Sequence, residues 1–230
     1  AIRRQRQMCI RDRFKHNEYR MKNIYGDYIW VLIRTATLRD KEGNPLKIVG
    51  VILDIDRAKK SEQQLTTRAS FDALTELYNR ETIESQIDNE ITLSEARKSE
   101  MAVLFIDVDD FKHYNDQYSH ATGDQVLKFV ARTIKGTVNE FGFAGRYGGD
   151  EFIACIRNAE INDPTRAAQD IISKLEEGFE CDGVHLTVSV SIGISMIKDD
   201  YNTRVEYIIG KADDAMYSVK KNGKSNYAFI

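Results

Sequence analysis

Two short acidic clusters are the residues best placed, by type and spacing, to do chemistry. One is Asp150-Glu151, inside the run Arg146-Tyr147-Gly148-Gly149-Asp150-Glu151-Phe152. The other is Asp107-Val108-Asp109-Asp110-Phe111-Lys112, directly after the apolar run Met101-Ala102-Val103-Leu104-Phe105-Ile106. Carboxylates of this kind commonly hold Mg2+, with one or two of them binding the ion and phosphate oxygens completing its octahedron. Each cluster also has a plainer reading. Acidic residues beside glycines are usually solvated turn residues. A strand followed by Asp-x-Asp is often a helix N-cap, a role that suits Asp109. The two clusters together favour a metal if the fold brings Asp107 and Asp150 to one end of a sheet.

The elements around these residues can be read from hydrophobic pattern. Apolar runs on both sides of Gly148-Gly149 predict a β-hairpin whose turn carries the carboxylates. The glycines are expected to supply positive φ and to let a ligand approach the backbone. Residues 101–106 predict a buried strand ending in Asp107. Helices are predicted at 80–98, through Asn115 and Asp116, after Gly123-Asp124 (Val126, Leu127, Val130, Ala131 and Ile134 inward), after Asp163-Pro164, and over 205–221. Leu186, Val188, Val190, Ile192 and Ile194 alternate, predicting one half-buried strand, and 227–230 predicts a closing strand. The class is α+β, with helices packed on a mostly antiparallel sheet.

The first part of the chain differs. Residues 19–54 predict three short-linked strands, with turns at Gly26-Asp27 and at Asp40-Lys41-Glu42-Gly43-Asn44-Pro45. Tyr28 and Trp30 read as sheet residues. A three-strand meander hardly buries a core of its own, so the chain reads as a piece of a longer protein. Residues 57–69 suit an exposed linker helix. Residues 1–13 are basic and aperiodic; Gln7-Met8-Cys9-Ile10-Arg11-Asp12-Arg13 resembles translated sequencing adapter, and no function is read from it.

Composition narrows the class. Basic and acidic residues number 33 and 36, so nothing points to nucleic acid or a membrane surface. No apolar run reaches the length of a membrane span. Cys9, Cys155 and Cys181 have no metal-ligand spacing, and a reducing cytoplasm is the economical expectation.

The Gly148-Gly149-Asp150-Glu151-Phe152 run resembles the signature of the GGDEF family, the diguanylate cyclases. Asp72-Ala73-Leu74-Thr75-Glu76-Leu77-Tyr78-Asn79-Arg80 is similar to the family's opening motif, and the likeness extends over residues 70–230. Residues 14–56 resemble the C-terminal part of a PAS sensor domain, through Gly26…Trp30, Asp40…Gly43-Asn44-Pro45 and Asp54-Ile55-Asp56. The resemblance implies the ferredoxin-like palm of nucleotidyl cyclases and the condensation of two GTP into cyclic di-GMP, across a homodimer steered by the sensor. It implies two Mg2+ per site, with Mn2+ as a substitute. By motif position, Asp107, Asp150 and the Val108 carbonyl match the metal ligands. Glu151 matches the second acid, assigned to metal binding or to activating the attacking hydroxyl. Asn115 and Asp124 match the guanine-reading pair. The amides of Asp109, Asp110, Phe111 and Lys112, with the side chains of Lys112, Lys220 and Lys224, match the phosphate site. Lys224 departs from the more common Arg, keeping the charge but not the bidentate fork. Many members carry an inhibitory R-x-x-D site; the corresponding residues here are Asn139 and Gly142, so inhibition by product is not expected. The alternative is a catalytically inactive GTP-binding regulatory module.

Overall fold

A computed structural model describes residues 15–60, 70–198 and 203–230. The chain divides into two compact units between residues 67 and 68.

The first unit is a meander of β1 (Lys15–Lys22), β2 (Tyr28–Arg39) and β3 (Pro45–Asp54), antiparallel in that order. Its turns form where Asn and Asp side chains take over backbone donors. Asn23 accepts from the amides of Tyr25 and Asp27, and Asp40 from that of Asn44. Val31 is the one buried hydrophobic residue among those described here, and β3 is exposed along its length. Tyr28 and Trp30 lie in β2. Residues 56–60 are helical. The rest of the expected linker helix (61–69) and the N-terminal segment 1–13 lie outside the described residues.

The second unit holds the chemistry. Its helices are α1 (Arg80–Arg97), α2 (Phe111–Gln117), α3 (His120–Val138), α4 (Pro164–Glu177) and α5 (Val205–Lys221). Its main sheet comprises β4 (Met101–Val108), β5 (Gly142–Arg146), β6 (Glu151–Arg157), β9 (Val190–Ile197) and β10 (Asn226–Phe229). The strand order is β10-β9-β4-β6-β5. β4 is apolar on both faces, so it takes the centre. Ala102, Leu104 and Ile106 pack with the inward residues of α3 and α4. Met101, Val103 and Phe105 pack with Ile83, Ile87 and Ile91 of α1 and with Ile208, Ala212 and Met216 of α5. The sheet is thus a middle layer between helices, and both faces are dry.

Three of its strand pairings are antiparallel. The fourth, β9 with β10, is parallel. α5 lies between those two strands in the chain and supplies the crossover that parallel neighbours need. The sheet is therefore mixed.

Two local expectations are corrected. The run from Leu186 to Ile194 is not one half-buried strand. Leu186 ends β8 (Val184–Leu186), which forms a separate hairpin with β7 (Phe179–Cys181) around Asp182-Gly183, both at positive φ. β9 then begins at Val190 and is buried on both faces. Its small residues lie under a helix: a Cβ on Gly193 would collide with the Ala212 carbonyl of α5. The third helix also starts earlier than expected. Ser119 caps it by accepting from the Thr122 amide, so Gly123 and Asp124 lie inside its first turns.

Candidate active site

Asp107, one residue short of the end of β4, is opposite Glu151 on β6 and Ser191 on β9. The hairpin turn folds back on this strand end, and the Val108 amide donates to the Asp150 carbonyl at 3.2 Å. Asp107, Asp150 and Glu151 therefore share one end of the sheet.

Asp107 is a buried carboxylate. Burial pushes its pKa up to about 6; the charges of Asp150 and Glu151 add to that, and Lys220 opposes it. The Lys220 ammonium is 2.6 Å from Oδ1. Oδ1 is buried, and this ion pair is its polar contact among the described residues. Glu151 is also raised, by burial first and then by Asp150 and Asp213. This end of the sheet has more negative charge than its lysine neutralises, and its carboxylate oxygens suit a hard cation. Among the described residues no group of three His, Cys, Asp or Glu side chains is arranged to hold a metal. An ion bound here would draw on two carboxylates and complete its shell elsewhere.

The turn is held by residues to which the sequence reading gave no role. Arg146 donates to the Gly149 carbonyl from Nε (3.1 Å) and Nη2 (2.7 Å), and its Nη1 is 3.2 Å from Asp72 Oδ1. Asp72 in turn accepts from the Thr75 amide and hydroxyl. Tyr78 exchanges backbone bonds with β5, donating to Ala144 and accepting from Arg146. Asn79 caps α1 through the Thr82 amide. Arg80 stacks 4.3 Å from the Tyr147 ring centre and donates to its hydroxyl. The Asp72-to-Arg80 segment is thus a brace for the acidic turn. The available signal was that Arg146 and Tyr147 directly precede the glycines.

The glycines act differently from expectation. Neither Gly148 nor Gly149 has positive φ. A Cβ on Gly148 would come 2.7 Å from the Glu151 carboxylate, so a side chain there would push that carboxylate aside. The Tyr147 and Gly148 amides both donate to the Glu151 carbonyl.

Asn115 lies on α2 and Asp124 on α3. The helices meet at Gly123, where any side chain would run into Asn115 Oδ1. Asp124 is exposed, as a residue that meets a ligand would be.

Beyond β4 the loop also departs from expectation. Asp109 is not a helix cap; it accepts from the hydroxyls of Ser189 and Ser191 and from the Ser225 amide, tying three loops together. Its own amide donates to the Ser189 carbonyl, so Asp109 does not belong to an open amide cradle. Asp110 occupies the N-cap position of α2 at φ 53 without capping it. Both its oxygens are 2.8 Å from Lys224 Nζ. Among the described residues the Asp110, Phe111 and Lys112 amides show no hydrogen bond. Lys112 is exposed, and Lys220 is paired with Asp107.

The second unit is an α+β domain, a mixed sheet covered by helices with Asp107, Asp150 and Glu151 at one end. The narrower identity comes from comparison. The family profile "Diguanylate cyclase, GGDEF domain" matches residues 69–226. A PAS-fold profile matches residues 1–52. The chain belongs to the GGDEF diguanylate cyclase family and carries part of a PAS fold at its N-terminal side. It is 38% identical over 136 residues to diguanylate cyclase A of Treponema denticola, covering 59% of this chain and 36% of that one. It is 34% identical over 178 residues to signaling protein YkoW of Bacillus subtilis, covering 76% and 22%. The chain therefore spans a third or less of the length of such relatives, or little more. A solved sensory box/GGDEF family protein from Caulobacter crescentus matches with a TM-score of 0.62 and 34% identity, over 67% of this chain and all of that one.

Proposed function

We propose that the second unit is a diguanylate cyclase, condensing two GTP into cyclic di-GMP with release of two pyrophosphates. The observation that carries this is Asp107, a buried carboxylate near the end of β4 that is paired, among the described residues, only with Lys220 and faces the Asp150-Glu151 turn. Asp107, Asp150 and the Val108 carbonyl would hold Mg2+, two ions per site, with Mn2+ as a substitute. Bound there, the metal would neutralise charge on the transferring phosphate and its leaving group.

The remaining work is positioning and charge stabilisation. Asn115 and Asp124 read guanine: a carboxylate accepts from N1–H and N2–H together, and an amide donates to O6 or N7. Lys112, Lys220 and Lys224, with the amides of Asp110, Phe111 and Lys112, hold the triphosphate. The 3′-oxygen of one nucleotide bonds to the α-phosphorus of the other, and the bond to the β-phosphate oxygen breaks. Glu151 holds metal or accepts the hydroxyl proton; its raised pKa brings it nearer the working pH. One unit holds one GTP, so two protomers face each other antiparallel. The PAS segment, acting through residues 57–69, sets that geometry.

Base choice tests the reading. Incubation with Mg2+ and either GTP or ATP is expected to give cyclic dinucleotide from GTP alone. Two mismatched partners covered by the bound base would cost about 1–3 kcal/mol each, a preference of about 10²-fold or more. Asp124→Ala should reduce that preference mainly through KM for GTP. Equal turnover of ATP by the unmodified protein would contradict the assignment.

A further inference from the structure

The Asp110–Lys224 pair is the feature that the proposed reaction leaves unexplained. Under that reading Lys224 faces the triphosphate, yet both Asp110 oxygens already stand 2.8 Å from its ammonium. Both residues are held in the left-handed region, Asp110 at φ 53 and Lys224 at φ 63, where non-glycine residues are uncommon. Asp110 sits at a helix N-cap position and does not cap; its carboxylate is turned to the lysine instead. The loop that carries Lys224 is fixed against the same acidic segment by the Ser225 amide, which donates to Asp109 Oδ2 at 3.2 Å.

We propose that Asp110 is a specificity-determining residue: an internal counter-ion that occupies Lys224 and admits metal-charged triphosphate in preference to the bare anion. The proposal rests on the cyclase reading. The physical argument is a competition for one cation. An exposed ion pair is weak, so a triphosphate displaces it at small cost. The displaced carboxylate then stands beside phosphate oxygens. Bare GTP brings about four negative charges to it, and the magnesium complex about two, so the repulsion falls mainly on the bare form.

The test is calorimetric titration of the whole chain with 3′-deoxy-GTP, which lacks the attacking hydroxyl, in EDTA and in Mg2+. Asp110→Asn should bind about three- to tenfold tighter in EDTA and about twofold tighter or less in Mg2+. Asp110→Glu, which keeps the charge, should stay near the unmodified affinity. In a Lys224→Ala background the Asp110→Asn gain should shrink, because the two residues act through one contact. A merely structural Asp110 would give weaker binding on substitution, in both conditions alike. Unchanged or weaker binding by Asp110→Asn, with normal binding by the unmodified protein, overturns the proposal and leaves the cyclase reading standing. No binding by the unmodified protein in Mg2+ overturns both.

Discussion

Asp107, proposed above as a metal ligand, shows how a buried carboxylate works against stability. Its folded pKa of about 6 stands above the ordinary 3.8, with desolvation the largest cause. Between those values the folded protein holds more protons than the unfolded one, so stability falls as pH rises through that window. Above it the penalty is fully present, at about 1–3 kcal/mol. Without divalent metal at pH 7.5, Asp107→Asn should therefore unfold at higher urea than the unmodified protein, by about that amount, although it should be inactive. The difference should vanish below about pH 4. A less stable variant at pH 7.5 would mean that the Lys220 pair, and not desolvation, dominates at this position. The types and spacing of Asp107, Asp150 and Glu151 were enough to single them out. Asp109 was misread, because its role depends on Ser189, Ser191 and Ser225, eighty or more residues away.

At the scale of elements, the acidic turn is fixed from outside its own hairpin. The opening Asp72-to-Arg80 segment reaches it through Arg146 and Tyr147. Arg146→Ala frees the Gly149 carbonyl and leaves Asp72 without its cation. That displaces Asp150 and Glu151 without touching the nucleotide contacts. The expected result is a kcat lower by about 10–100-fold, with KM for GTP changed by less than about twofold, since misplacement of about 1 Å costs on that order. Steady-state kinetics of product formation would show the split; an unchanged kcat would exclude the bracing role. The long helices and the central strand were legible, because α3, α4 and α5 present clear apolar faces and β4 is apolar from Met101 to Ile106. The β7–β8 hairpin and the doubly buried β9 were not. In β9, Ser191, Gly193 and Ser195 look like a polar face, yet they are small residues that let α5 pack close. The break before Val190 interrupts no apolar alternation, so periodicity could not locate it.

At the scale of the molecule, one unit carries the site and the other is a thin sheet with a single buried hydrophobic residue among those described. In the proposed reaction each protomer supplies half of a two-nucleotide assembly, so geometry between protomers governs rate. No described helix is long and apolar enough to cross a membrane. The central claim is that Asp107 and the Asp150-Glu151 turn form a metal-dependent site that joins two GTP. The most direct measurement is incubation with GTP and Mg2+, with products separated by mass, for the unmodified protein and Asp150→Asn. The account predicts cyclic di-GMP with two pyrophosphates per product from the unmodified protein and none from the variant. Equal product from Asp150→Asn would contradict it, as would no product from the unmodified protein even when its protomers are joined by fusion to a coiled coil.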